Sequence, residues 1–124
     1  MILQEKYNYI IEYFSKIMPD AQTELHYNSP FQLMVAVILS AQCTDKRVNL
    51  ITPALFEKYG NAESLAKAEF DEVFPFVASC SYPNNKTNHI INMSRMLIDD
   101  FNGEVPSDIN LMMKLPGVGR KTAN

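Results

Sequence analysis

The segment Asn28-Ser29-Pro30, followed by an unbroken apolar run from Leu33 to Leu39, most limits what this chain can fold into. Asparagine and serine supply capping oxygens, and proline suits the first helical position, where its missing N–H costs nothing. The run behind them is apolar all round rather than along one stripe, so the helix it predicts must be surrounded by other elements. It is also far shorter than the roughly 20 residues a bilayer span requires. A buried central helix, expected to end near Gln42, therefore organises the rest.

Elsewhere apolar residues recur at helical spacing. Leu3, Tyr7, Ile10, Ile11, Phe14, Ile17 and Met18 define an amphipathic helix that Pro19-Asp20 ends. Thr44 or Asp45 is the candidate cap of a helix carrying Val48, Ile51, Leu55 and Phe56, with a kink expected at Pro53 and a close at Tyr59-Gly60-Asn61. Short helices fit 62–68 and 70–78, the second interrupted by Pro75. Ser81-Tyr82-Pro83-Asn84-Asn85 reads as a turn leading into a long helix with Ile90, Met93, Leu97 and Phe101 on one face, stopped by Asn102-Gly103. Val105-Pro106-Ser107-Asp108 then caps a short helix. No segment alternates with period two between hairpin turns, and no repeat or low-complexity stretch is visible. The expected fold class is all-α. With 124 residues, 47% of them hydrophobic, the chain can bury one core.

Net charge is −3, which argues against a generally adhesive nucleic-acid binder, so any surface for a polyanion must be local. Cations cluster at Lys46-Arg47 and at Lys114 with Arg120-Lys121, while carboxylates gather between Glu63 and Glu72 and at Asp99-Asp100. Lys46-Arg47 is equally open to being a solvated face. The start, Met1-Ile2-Leu3-Gln4-Glu5-Lys6, lacks the parts of a secretory signal, and an intracellular, reducing setting is expected. Cys43 and Cys80 have no C-x-x-C spacing and read as two free thiols. His26 and His89 have no partner at ligand spacing and read as structural. No metal site is expected in this chain.

Three segments could carry chemistry. Leu115-Pro116-Gly117-Val118-Gly119-Arg120-Lys121-Thr122-Ala123-Asn124 reads as a tight turn between two helices. Its glycines let the backbone approach a ligand, and the following helix start turns unpaired N–H groups toward an anion. Lys121 stands just past the turn, where the helix dipole and Arg120 both oppose its protonation. A neutral amine there can attack a sugar C1′, displace the base as a Schiff base forms, and promote β-elimination. Spacing alone leaves open a surface lysine that meets phosphate as a point charge. Ser40-Ala41-Gln42-Cys43-Thr44-Asp45 places at a helix end an amide that both donates and accepts, as a side chain filling a gap in a base stack must. Tyr82 offers an aromatic wedge, and Asn84, Asn85 and Lys86 offer donors for phosphates. Taken singly, each segment also reads as an ordinary turn.

Together they resemble the endonuclease III family of DNA glycosylases over nearly all of the chain. The pieces stand in family order: Thr23-Glu24-Leu25 with Ser29-Pro30-Phe31, Leu39-Ser40-Ala41-Gln42 with Thr44-Asp45, Asn84 with Lys86, Asn102-Gly103-Glu104-Val105-Pro106, and Leu115 to Asn124. The resemblance implies a helix-hairpin-helix repair fold that flips a damaged base out of double-stranded DNA. Lys121 matches the family's Schiff-base lysine, and Gln42 matches a residue that fills the gap left by the flipped nucleotide. Gly117, Val118, Gly119 and Arg120 match the phosphate-binding hairpin. The implied DNA-contacting set is Gln42, Thr44, Asp45, Lys46, Tyr82, Asn84, Asn85 and Lys86 with those hairpin residues. Whether the hairpin carbonyls hold a monovalent cation stays open.

The family's catalytic aspartate, the four cysteines of its [4Fe–4S] cluster and the helices completing its second domain lie beyond the hairpin. The chain thus resembles the N-terminal part of such an enzyme. Residues 1–20 would be a helix packing with the iron–sulfur domain, and 21–124 most of the six-helix domain. The family commonly has Gly-Leu-Tyr before asparagine, where this chain has Ser81-Tyr82-Pro83, so Tyr82 takes the place of a leucine wedge. The resemblance implies a bifunctional glycosylase and AP lyase acting on oxidised pyrimidines at damaged or abasic sites. It implies a monomeric whole protein in a bacterial-type, nucleoid-associated cytoplasm, with no membrane partner. The chain by itself is expected to be inactive and, with apolar surface exposed, to self-associate. Two alternatives stay open: an adenine-mismatch glycosylase, which generally lacks a lysine matching Lys121 and tends to carry a second glutamine where Asp45 stands, and a non-enzymatic helix-hairpin-helix DNA-binding module.

Overall fold

A computed structural model of the chain describes residues 28–105. They form five helices and no strand: α1 (Pro30–Ser40), α2 (Asp45–Lys58), α3 (Ala62–Ala66), α4 (Phe70–Val77) and α5 (Pro83–Phe101). The all-α expectation holds over these residues. The expected helices before Pro19 and after Pro106, and the Gly117–Lys121 turn, lie outside them.

Ser29 caps α1, its Oγ accepting the Gln32 N–H at 3.1 Å, and Pro30 opens the helix. Every residue from Leu33 to Leu39 is buried, with Met34, Val35, Ala36 and Leu39 fully so. The central position read from the sequence is therefore the observed one: α2 and α5 pack on α1, and α5 also receives α3 and α4. A fully buried leucine or methionine side chain contributes about 1.5–3 kcal/mol, so this one helix supplies a large part of the driving force.

One proline behaves differently from expectation. α4 runs through Pro75 without interruption, because Val73 and Val77 anchor both sides of the proline in the core while its ring stays exposed. α2 contains Pro53, with Ile51 and Leu55 buried on either side of it. Packing outweighs the roughly 3 kcal/mol that a proline costs a helix interior. α1 ends at Ser40 with Ala41 as its C-cap, near Gln42 as expected, and α3 ends at Ala66, where the Arg95 guanidinium donates to the carbonyls of Ala66 at 3.0 Å and Ala68 at 3.3 Å.

The link from α2 to α3 is tight. The Gln32 side chain donates to the Gly60 carbonyl at 3.1 Å, and a Cβ on Gly60 would stand 2.6 Å from the Phe56 carbonyl oxygen, leaving the position closed to larger residues. Asn61 and Ser64 then form a reciprocal capping box that starts α3. α5 carries Ile90, Met93 and Leu97 in the core, as its spacing predicts, with Phe101 partly buried against it. It stops where Asn102 and Gly103 both turn left-handed and point their N–H groups at the Leu97 carbonyl.

Two side chains on α5 give direct tests of this packing. Thr87 is fully buried and its Oγ1 has no hydrogen-bond partner. Replacing that hydroxyl by a methyl removes an unsatisfied polar atom at constant shape, so Thr87→Val is expected to raise stability by up to about 1 kcal/mol in urea unfolding. His89 is half-buried, and burial pushes its imidazole below the usual value of 6.5. Below about pH 6.5 the unfolded chain takes up a proton that the folded one resists. Stability is expected to fall as pH drops through that value, and His89→Gln to flatten that component of melting temperature against pH.

Candidate functional site

The last turn of α1 exposes four carbonyls that no helical N–H can reach, and every one of them finds a donor. The Ser40 hydroxyl donates to Val37 at 2.8 Å, and the Ala41 N–H approaches Ile38 at 3.4 Å. The Cys43 N–H donates to Ser40 at 3.0 Å. The Leu39 carbonyl receives the Lys86 ammonium at 2.8 Å and the Cys80 thiol at 3.2 Å.

Lys86 is the centre of this arrangement. It sits in the first turns of α5 and is only 5% exposed. Its Nζ also donates to the Ala41 carbonyl and to Ser81 Oγ, the latter at 3.1 Å, and lies 3.6 Å from Cys80 Sγ. A cation at a helix C-terminus is favoured by the helix dipole as well as by the bonds it donates. The expectation that Lys86 offers its ammonium to a phosphate is thereby corrected: the charge points inward, and its hydrogens are spent on the end of α1 and on the loop before α5.

Ser81 completes the connection. Its hydroxyl donates to the Gln42 carbonyl at 2.7 Å and lies 3.4 Å from that of Ala41. The loop after α1 and the loop before α5, nearly 40 residues apart in sequence, are thus stitched together through Lys86 and Ser81. Sequence reading treated Ser81 only as part of a turn and missed this role, which no local spacing announces.

Each stitched loop presents one exposed side chain from a left-handed backbone. Gln42 has φ 55 and Tyr82 φ 50, and Tyr82 is 62% exposed. Among the described residues the one further non-glycine with positive φ is Asn102, at the end of α5, where asparagine is common. A left-handed backbone is costly for glutamine and tyrosine and persists where surroundings enforce it, a pattern that clusters at functional sites.

The remaining expected residues fall around this edge. Thr44 is the N-cap of α2, its hydroxyl accepting the Arg47 N–H at 3.1 Å, and Asp45 opens that helix where a negative charge suits the dipole. Lys46 is exposed one residue further on. Asn84 and Asn85 are exposed in the first turn of α5, which has no side-chain cap. Cys43 and Cys80 are both free. Burial foremost, and then the Cys43 thiol, push Cys80 up to about 11, while the Lys86 charge acts in the opposite direction.

The chain has two cysteines, and among the described residues no group of three His, Cys, Asp or Glu could hold a metal ion. A four-cysteine iron–sulfur cluster does not fit them. Among the same residues, no helix is long and apolar enough to cross a membrane.

A helical layer built on a buried central helix, with two coupled loops at the end of that helix, defines an all-α fold with a two-loop working edge. Known proteins share the fold. The model of the HhH-GPD superfamily base excision DNA repair proteins matches residues 35–123. The chain is 44% identical over 115 residues to the endonuclease III of Synechocystis sp., covering 93% of this chain and 52% of that protein. It is 41% identical over 124 residues to the endonuclease III of Bacillus subtilis, covering 100% and 57%. A solved structure described as a trapped endonuclease III–DNA covalent intermediate superposes with TM-score 0.77 at 44% identity, covering 100% of this chain and 58% of that one. A thermostable thymine-DNA glycosylase, at 22% identity and TM-score 0.71, shares the fold. The chain belongs to the HhH-GPD superfamily of base excision DNA repair proteins. It spans little more than half the length of the curated relatives it matches.

Proposed function

We propose that this chain supplies the base-flipping and Schiff-base half of a bifunctional DNA glycosylase and AP lyase acting on oxidised pyrimidines in duplex DNA. The observation that carries this reading is the pair of exposed left-handed residues, Gln42 and Tyr82, on loops locked to one another by Ser81 and Lys86. Two side chains held at fixed separation suit a duplex from which one nucleotide is withdrawn. Gln42 replaces the lost hydrogen-bonding edge, and Tyr82 wedges the stack.

Asn84, Asn85 and Lys46 would position the flanking phosphates, with the Gly117-Val118-Gly119-Arg120 turn as the main grip. Lys121 lies within the residues matched by the superfamily model. Its neutral amine would attack C1′ as the C1′–N bond breaks. The resulting imine would acidify the 2′ hydrogens, so that elimination of the 3′ phosphate cuts the strand. Two structural relatives, a trapped covalent intermediate and a non-covalent complex, are described as endonuclease III bound to DNA, which supports the DNA part of this reading. Any iron–sulfur cluster would be held outside this chain.

The test is borohydride trapping, with a protein carrying this chain and the remainder of its relatives' fold. Incubation with a duplex containing an abasic site is expected to give a covalent protein–DNA adduct, and a tetrahydrofuran analogue, which cannot form an imine, none. Absence of the adduct from protein that still binds the duplex would leave a DNA-binding module. Thymine glycol, rather than adenine opposite oxidised guanine, is the expected substrate.

A further inference from the structure

At the end of α5 the exposed Asn102 is followed by Gly103. The amide carbon of an asparagine can be attacked by the main-chain nitrogen of the next residue, and a glycine there has no Cβ to obstruct the approach. Two features of the helix terminus stand against that attack. Asn102 has φ 58 and ψ 27. Ring closure requires the Asn102 Cβ and the Gly103 nitrogen to eclipse one another across the Cα–C bond, and at this ψ an L residue holds them on nearly opposite sides. The Gly103 N–H is also committed, donating to the Leu97 carbonyl at 2.7 Å beside the Asn102 N–H that points at the same oxygen. An amide nitrogen must lose its proton to become a nucleophile, and this one is held.

We propose that Asn102-Gly103 is a modification site controlled by folding: it is inert while the end of α5 is formed, and it converts to aspartate and isoaspartate when that end opens. The inference goes beyond the DNA-repair reading and does not depend on it. The contacts that keep the pair inert are local. The Glu104 N–H donates to the Phe101 carbonyl at 3.0 Å, and Phe101 packs against the core. Val105, 3% exposed, anchors the chain just past the turn. Opening forfeits these contacts, so the reactive fraction follows the local stability of this helix end rather than that of the whole domain.

In the open chain the Gly103 amide gives its proton to water or hydroxide and its nitrogen bonds to the Asn102 Cγ. The Cγ–Nδ2 bond breaks, and the leaving nitrogen takes up a proton and departs as ammonia. Water then opens the five-membered imide at one of its two carbonyls. Attack at Cγ gives aspartate, and attack at the main-chain carbonyl gives isoaspartate, whose chain runs through Cγ. One amide and one water thus give one carboxylic acid and one ammonia.

Neither product rebuilds the terminus as it was. Isoaspartate inserts a methylene between the two N–H groups that meet at the Leu97 carbonyl, so both no longer reach it from a left-handed turn. Aspartate keeps the path of the chain but sets a carboxylate at the negative end of the α5 dipole. Asp99 and Asp100 already stand near that end, and its last turn has no basic residue to offset them. Each conversion therefore favours further opening, and a molecule that has once opened here keeps a covalent record of it.

The experiment incubates the intact protein at mildly alkaline pH, folded and in guanidinium chloride, and follows the amide-to-acid mass change by peptide mapping, with isoaspartate detected by enzymatic methyl labelling. Asn102 is expected to convert in the unfolded chain and to do so about tenfold or more slowly in the folded one. Val105→Ala loosens the anchor without touching the pair, and it is expected to speed conversion in the folded protein while leaving the unfolded rate unchanged. The modified protein, separated and refolded, is expected to unfold at lower guanidinium than the parent. The ratio of rates in the parent carries the test where Val105→Ala fails to fold. Equal rates in the folded and unfolded parent would overturn the proposal, as would an Asn102 that stays intact in guanidinium while other asparagines of the chain convert.

Discussion

Replacing Lys86 by methionine is expected to lower the unfolding free energy by about 3 kcal/mol and the melting temperature by about 10 °C. Methionine keeps most of the apolar stem, so packing loss is small, and the effect isolates the ammonium. That group, 5% exposed, donates to the carbonyls of Leu39 and Ala41 and to Ser81 Oγ. Hydrogen bonds from a charged donor contribute roughly 1.5–3 kcal/mol each, and a buried acceptor left unmatched costs about 1–3. Against these stands the relief of no longer desolvating a charge, which offsets part of the gain and keeps the net loss at about 3 rather than the sum. Cys80 and Ser81 would still reach the abandoned carbonyls, but only at 3.2 and 3.4 Å. Urea unfolding measures the loss directly, and a methionine variant within about 0.5 kcal/mol of the parent would show that Lys86 is not the joint between the loops. Because the same joint holds Gln42 in its left-handed backbone, the variant's affinity for a duplex with an abasic analogue should fall by more than its stability at the assay temperature explains.

Lys86 also shows what sequence reading reaches and where it fails. The chain announces α1 by its cap and apolar run, and α5 by Ile90, Met93 and Leu97, because period and burial are written into residue types. Lys86 stands one turn before Ile90 and two before Met93, on that same buried face. The period thus marks its burial, against the usual preference of lysine for the surface. Its destination was not legible, since the end of α1 is some 45 residues away and only the folded chain brings it near. Ser81 is a harder case: nothing local separates a serine that starts a turn from one that ties two loops. Pro75 fails in the opposite sense, because its local preference is real but smaller than the burial energy of the helix that contains it. Of the candidate site, the positions Gln42 and Tyr82 came from motif order, whereas their shared left-handed backbone is a property of tertiary restraint.

Lys121→Ala should cut borohydride-trapped adduct by a factor of about 10³ or more while changing duplex affinity only a few-fold. The two readouts separate because the proposed roles of this residue are separable. As one cation among several near the backbone it contributes a single phosphate contact, whose loss weakens binding modestly and reduces the salt slope by about one. As the nucleophile it is irreplaceable, since no other group on the hairpin can form an imine with C1′. Lys121→Arg sharpens the distinction: guanidinium keeps the charge, and with a pKa above 12 it is never the neutral amine that attack requires. The arginine variant should therefore bind nearly as the parent does and trap no better than alanine. If both variants trapped DNA at the parental level, the nucleophile would lie elsewhere and Lys121 would be reduced to a phosphate contact. If alanine abolished binding and trapping together while arginine restored both, its charge alone would account for its effect, and the non-enzymatic module would be the better reading of this chain.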